Sequence, residues 1–387
     1  MQNGLPSFDN TEIAFGHKSK KSLKNAIMLF SAFKFPFIVN KGPFLAGWAL
    51  KIGIPVKGII KNTIFKQFCG GESVSDCDKT MNNLAEANIG TILDYSVEGE
   101  NTEDNLDFTR DEILKTAITS ANTPHIPFCV FKVTGVIRFE LLEKIQANSS
   151  LSDSEEQEYQ RGKERVSSIC CKAKEAKTKV LIDAEESWIQ NVIDDIANEM
   201  MESCNQEEVY IFNTIQLYRH DRLEYLKNCI KSKSYLQGYK LVRGAYMEKE
   251  RERAMDMGYA SPIQKDKAST DKDYNKALKV CILNIDKVEL CAGTHNEESS
   301  LILCELMKKY NISKEDKRVY SGQLLGMSDH ISYNLAHANY NVAKYVPYGP
   351  VKSVMPYLGR RAKENSSIGG QVGRELQLLK KELKRRA

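Results

Sequence analysis

A chain of 387 residues, 42% hydrophobic and 27% charged, can hold two ordinary domains or one large barrel with extensions, and this composition excludes general disorder. With 55 basic against 51 acidic residues the net charge is only +4, which gives no electrostatic reason to expect nucleic acid. Ten cysteines occur without a single CxxC, so the spacing argues against zinc and predicts reduced, mostly buried thiols in a reducing compartment.

The first ten residues are polar and include Asp9, which predicts neither a secretory signal nor an Arg-rich transit peptide. The longest apolar stretch, 27–39, is interrupted by Lys34 and Pro36 and falls short of the about 20 residues a bilayer span needs. It is expected to be a core or extension helix, with contact at a membrane interface as the alternative. From 8 to 70, lysines spaced between apolar clusters predict helix, which Gly70-Gly71-Glu72-Ser73 breaks. Ser75 is then expected to cap a helix running to about residue 88, with Asp76 and Asp78 favouring its first turn.

Short apolar strands then alternate with longer helical patterns. Strands are predicted over 91–95, 128–133, 180–183, 209–215, 240–243, 288–292, 319–324 and 343–346, with helices such as 187–201, 221–229, 271–285 and 297–309 between them. Eight such alternations predict an α/β fold, a (β/α)8 TIM-type barrel over 89–367 behind an N-terminal helical extension over 1–88. The rival, an open doubly wound sheet, would carry a Gly-rich phosphate turn after its first strand, and none is there. The Ser/Glu-rich stretch 147–165 is expected as an exposed insertion, and 368–387 as a basic amphipathic helix with a solvated face.

In such a barrel the chemistry gathers at the C-terminal ends of the strands. The pattern puts there Lys132, Asp183, Gln216, the segment from Lys240 to Tyr246, Thr294-His295 and, within the last strand, Tyr345. One lysine or aspartate at a strand end is commonly half of a structural ion pair. A whole rim of polar endings is harder to explain without function, because burying each costs stability. Past the last strand, Tyr357, Arg360 or Arg361, and Glu364 share a helical face, and adjacent arginines offer planar donor forks to a carboxylate.

Taken in order, DAEE at 183–186, KLVRGAY at 240–246 with Glu250 and Arg251 beyond it, AGTHN, GQLLGM, YVPYG and YLGRRAKEN resemble the signature of the proline dehydrogenase family. The resemblance covers 68–367, with FCGGES at its front. It implies a distorted (β/α)8 barrel that binds FAD without a Rossmann fold, so the glycines of FCGGES and of 369–373 are not phosphate loops. By the same resemblance Arg360 and Arg361 hold the proline carboxylate. Lys132 and Asp183 form the charged pair beside the substrate, Lys240 acts at the flavin, and Tyr246, Leu324, Tyr345 and Tyr357 line the proline ring. Ala184, Gln216, Lys240, Arg243, Gly244, Ala245, Thr294, His295 and Glu364 fall on positions that touch the flavin or groups near it. No metal is implied. Many bacterial members carry Arg at the place of Lys240 and Lys at that of Arg243, and Met247 stands where many have Trp.

The implied reaction is oxidation of L-proline to Δ1-pyrroline-5-carboxylate, the first step of proline catabolism to glutamate. Hydride goes to flavin N5 and the electrons pass to a membrane quinone, so a peripheral membrane contact is expected. A related hydroxyproline dehydrogenase is the alternative. Many relatives are fused to an aldehyde dehydrogenase, for which 387 residues leave no room, so only the first step is expected. The expected location is cytoplasmic and peripheral at the inner membrane in a bacterium, or mitochondrial in a eukaryote once a presequence is removed. Two rivals remain. A metal-dependent barrel has only Asp183 and His295 as clear ligands; a non-catalytic amino-acid sensor would have little use for the polar rim.

Overall fold

The computed structural model describes residues 4–52, 54–97, 102–367 and 371–387. Eight parallel strands close into a barrel in chain order: β1 (Ile89–Tyr95), β2 (Phe128–Lys132), β3 (Lys179–Asp183), β4 (Ile211–Gln216), β5 (Gln237–Val242), β6 (Val288–Gly293), β7 (Val319–Leu324) and β8 (Val342–Tyr348). Ahead of the barrel come α1 (Thr11–Phe15), α2 (Lys20–Ala32), α3 (Pro36–Lys51), α4 (Lys57–Ile60), α5 (Lys66–Phe68) and α6 (Asp78–Ala85). Between the strands run α7 (Glu103–Ala121), α8 (Phe139–Gln146), α9 (Asp153–Glu175), α10 (Ser187–Cys204), α11 (Arg222–Ser232), α12 (Met247–Met257), α13 (Lys267–Leu283), α14 (Glu297–Lys309) and α15 (Asp329–His337). The chain ends in α16 (Met355–Ser367) and α17 (Gln371–Arg385). Its contacts group into two compact units, 1–98 with 323–387, and 99–322.

In the first unit the N-terminal helices share one buried cluster with the end of the chain: Phe15, Leu23, Phe30 and Phe68 pack with Leu358 of α16 and Leu376 of α17. Each such side chain contributes about 1.5–3 kcal/mol when fully buried, so the extension and the final helices stabilise one another. Asp329 lies buried at the start of α15, 2.8 Å from Lys344 and 3.0 Å from Lys18. Burial would raise its carboxyl, but Lys18 and Lys344 outweigh it and hold the group well below the usual carboxylate range. The glycine pair of FCGGES lies along β8. Gly70 N–H donates to the Pro347 carbonyl at 2.8 Å, and a Cβ on Gly71 would fall 2.3 Å from that of Asp76. Ser75 does not cap a helix. Residues Ser75–Cys77 form a 3-10 turn, and it is Ser73 whose hydroxyl accepts the Asp76 N–H, at 3.3 Å. The glycines expected at 369–370 lie outside the described residues.

In the second unit, helix-facing residues of β2, β3 and β4 pack with α8, α9 and α10 around Ile137, Val166, Ile182 and Ile193. Most residues of 147–165, expected as an exposed insertion, are exposed, and from Asp153 onward they form the start of α9. Ser152 and Glu155 form a reciprocal capping box that starts α9, and Gly162 and Arg165 lie on its buried face. Arg165 is held by Glu103 and by Asp107, the latter at 2.8 Å, so a polar stretch folds through ion pairs to a helix more than fifty residues earlier. All ten cysteines are free thiols, and only Cys171 is exposed.

Candidate active site

Strand ends decide which side chains can meet. In the unit 99–322, Lys132, Asp183 and Gln216 are the last residues of β2, β3 and β4. Parallel register sets half-buried Lys132 beside half-buried Asp183. The Asp183 carboxylate is ion-paired with Lys240, which reaches it from within β5, two strands away. Lys240 is buried, and a buried ammonium carries a desolvation penalty of several kcal/mol that only a close, well-placed carboxylate offsets. The expected pairing of Asp183 with Lys132 therefore has to include Lys240.

Glu185, the third residue of the DAEE motif, is buried. It accepts from the Thr134 N–H at 3.0 Å and from the Thr134 hydroxyl, while its carbonyl accepts the Gln216 amide at 2.8 Å. Burial pushes its carboxyl up to about 7, against the opposing pull of Lys132 and the Thr134 donors. A carboxyl whose folded pKa is raised holds its proton better folded than unfolded. Its stabilising share is complete below the ordinary value of 4.5 and is lost as the pH rises through about 7. Glu185→Gln is thus expected to flatten the fall in stability across that window, by an amount on the order of 3 kcal/mol. Urea unfolding of both proteins at either end of the window measures this; equal slopes would remove Glu185 from the account.

Arg243 directly follows β5 and ties three segments together. Its Nε donates to Asp271 of α13 at 2.7 Å, one terminal nitrogen to Thr294 at 2.7 Å, and the other to Ser299 of α14 at 2.9 Å. The guanidinium lies over the Tyr274 ring, 4.4 Å from its centroid. Arg243 and Thr294, both predicted at the cofactor, are thereby brought together, and Asp271 and Ser299 are the partners that sequence reasoning missed.

Gly244 adopts φ +133°, and a Cβ there would fall 2.4 Å from the Tyr218 ring. Backbone strain and overpacking together are expected to cost Gly244→Ala roughly 2–4 kcal/mol. A chemical-denaturation midpoint equal to wild type would show that 243–246 relaxes freely. Ala245 is exposed, Tyr246 immediately precedes α12, and Ala184 and His295 are half-buried in the loops after β3 and β6. The Gln216 Oε1 is buried and has no hydrogen-bond partner, leaving an acceptor unanswered.

In the unit 1–98 with 323–387, Leu324 ends β7, Tyr345 lies buried in β8, and α16 carries Tyr357, half-buried Arg360, Arg361 and Glu364. The spacing of three and four works as predicted. Arg361 donates to Glu364 at 2.6 Å, and its guanidinium lies 5.1 Å from the Tyr357 ring centroid. Glu364, expected at the cofactor, is therefore also the group that fixes Arg361. The Arg361 Nε and the Tyr357 hydroxyl are buried and neither has a hydrogen-bond partner. A donor left so costs about 1–3 kcal/mol, and for the Arg361 Nε an anionic acceptor such as a carboxylate is the matching partner. Among the described residues, no three His, Cys, Asp or Glu side chains gather as a metal site.

Residues 77–374 match the family model described as proline dehydrogenase. The chain is 30% identical over 429 residues to "Proline dehydrogenase 1, mitochondrial" of Dictyostelium discoideum, an alignment covering 97% of this chain and 74% of that protein. It is 31% identical over 427 residues to "Hydroxyproline dehydrogenase" of Xenopus laevis, covering 99% of this chain and 91% of that one. Among solved structures it is similar to proline utilization A of Bdellovibrio bacteriovorus, with a TM-score of 0.72 and 19% identity over 92% of this chain. The chain spans only 38% of that longer protein, and at such identity the likeness speaks for the fold alone.

Proposed function

We propose that this chain, which belongs to the proline dehydrogenase family, oxidises L-proline to Δ1-pyrroline-5-carboxylate with FAD as its cofactor and a membrane quinone as the final acceptor. The observation that carries the reading is Arg361: buried, fixed by Glu364, stacked on Tyr357 and left with an unanswered Nε donor. Such a group suits a small anionic substrate, and Arg360 beside it supplies a second fork. The residues of the other unit fit a flavin. Gln216 leaves a buried acceptor open, which an imide or ribityl hydroxyl could answer, and Gly244 keeps its segment free of a side chain.

When bound, a flavin supplies what no side chain can, an acceptor for hydride at N5. The chain's own residues bind, orient and stabilise charge. The arginines of α16 hold the carboxylate and so fix the approach of the ring carbon next to nitrogen. Lys240, held by Asp183, would supply a positive charge beside a bound flavin. Enclosure of the amine disfavours its ammonium form, which leaves the nitrogen lone pair available to assist loss of hydride. Among the described residues no helix is long and apolar enough to cross a membrane. Purified holoprotein should be yellow, L-proline should bleach it without oxygen, and turnover should follow with a quinone. A colourless protein, or a flavin spectrum indifferent to L-proline, overturns the reading.

The Xenopus relative supports a second reading, oxidation of hydroxyproline. Tyr345, buried in β8, is proposed to fill the space over the ring and exclude a 4-hydroxyl. Tyr345→Ser is expected to raise kcat/KM for trans-4-hydroxy-L-proline relative to L-proline by roughly 10- to 100-fold. An unchanged ratio would take Tyr345 out of the specificity argument.

A further inference from the structure

Helix α12 follows the KLVRGAY segment directly, yet of its eleven residues only Glu250 and Ala254 are buried. A helix ordinarily docks through an apolar stripe; here a glutamate with no exposed surface stands in that place. Enclosing a carboxylate is costly unless its oxygens are hydrogen-bonded. A single residue answers both of them: Oε1 accepts the Ser187 N–H at 2.7 Å, and Oε2 accepts the Ser187 hydroxyl at 2.6 Å. Ser187 is the first residue of α10, an 18-residue helix whose own cap residue, Glu186, makes no side-chain capping bond. The first N–H groups of a helix lack partners within it and favour negative charge. Glu250 meets that need from sixty-three residues further along the chain.

The clasp joins two segments expected at the cofactor. On one side, Ala184 lies three residues before Ser187. Its neighbour Glu185 donates its N–H to the Gln190 side chain of α10 at 2.8 Å, so the start of α10 sets where 184–186 lies. On the other side, the Glu250 N–H donates to the Tyr246 carbonyl at 2.9 Å, one turn beyond Gly244 and Ala245. The remaining attachments of α12 are looser. Lys249 pairs with Glu186 but is itself largely exposed, and Arg253, also partly exposed, lies over the Trp188 ring, 4.4 Å from its centroid. Water-exposed pairs of this kind hold little. An apolar side chain could dock α12 at less cost than a buried carboxylate. The two-oxygen grip adds a fixed rotation and register of one helix start against the other.

We propose that Glu250 is a positioning residue for the cofactor: by gripping Ser187 it holds 243–246 against 184–186, so that both meet a bound FAD in one arrangement. The inference rests on the reading of this chain as a flavoprotein.

Glu250→Ala should release bound FAD about 10- to 100-fold faster than wild type, followed as the rise in flavin fluorescence on dilution. It should also change the visible circular dichroism of the flavin that stays bound. Ser187→Ala keeps the N–H bond and should speed release by about tenfold or less. Glu250→Gln retains an acceptor for that N–H and should fall nearer to wild type. Glu250→Ala with Ser187→Ala should be no worse than Glu250→Ala alone, because both remove the same contact. Val166→Ala, in the core of the same unit, should lower the unfolding midpoint and leave flavin release and dichroism unchanged. Release from Glu250→Ala at the wild-type rate, losses that add in the double variant, or equally fast release from Val166→Ala each overturn the inference. If Glu250→Ala does not fold, Ser187→Ala decides, and release from it at the wild-type rate overturns the inference. A wild-type chain that takes up no flavin overturns the functional reading itself; a wild-type chain that holds flavin, with variants that hold it equally well, overturns this inference alone.

Discussion

Replacing Arg361 with methionine is expected to lower kcat/KM for L-proline by roughly 10- to 1000-fold, at about 1.4 kcal/mol per tenfold for a charge-assisted or forked hydrogen bond. The loss should sit mainly in KM, because a carboxylate held equally before and during reaction is uniform binding. Arg360→Met belongs in the same range. Methionine keeps much of the apolar stem against Tyr357, so the variant removes the fork more than the packing. Glu364→Gln gives a graded control: it frees Arg361 without removing it, and should raise KM by less. Each variant needs bound flavin by absorbance, and kcat/KM for L-proline beside that for pyrrolidine, which lacks the carboxylate. If activity on pyrrolidine falls in step with activity on proline, or flavin is lost with activity, the arginines serve the fold or the cofactor and the substrate assignment is wrong.

The barrel was legible because its signals are local. Each strand is a short apolar run between helix-length segments, and 319–324 and 297–309 were read to the residue. Where a strand looked unlike one, the reading slipped. Strand β5 starts at Gln237, not at Lys240, and its start is masked in the sequence by Gly238, which has to be glycine: a Cβ there would lie 2.6 Å from the Ile211 carbonyl oxygen and the Phe212 ring. The helix face bearing Tyr357, Arg361 and Glu364 was legible for the same reason, since three- and four-residue spacing fixes its neighbours. Partners distant in the chain were not. Nothing near Arg243 points to Asp271 or Ser299, and nothing near Glu185 points to Thr134, fifty-one residues earlier. Nor does the polarity of 147–165 show that Arg161 and Arg165 pair with carboxylates of α7.

Asp183→Ala is expected to be the most damaging single change in the unit that carries it, because it strands the Lys240 ammonium in a buried place. Breaking a buried pair by removing one partner costs about 3–5 kcal/mol, which corresponds to roughly 100- to 1000-fold or more in whichever quantity absorbs it. Lys240→Met alone should be milder on stability, since it leaves a half-buried carboxylate with access to water. It should be severe on kcat, if Lys240 is the cation that meets charge on the acceptor. The double variant Asp183→Ala with Lys240→Met should recover stability relative to Asp183→Ala, giving a coupling of roughly 1–3 kcal/mol. Lys132 supplies the comparison. It lies in register with Asp183 and bears on Glu185, so its coupling to Asp183 should be real but smaller than that of Lys240. Thermal unfolding and kcat on the single variants and both doubles give the two cycles from one set of proteins. A larger coupling of Asp183 to Lys132 than to Lys240 would restore the pairing expected from the sequence, and losses that simply add in both cycles would dissolve the charged cluster altogether.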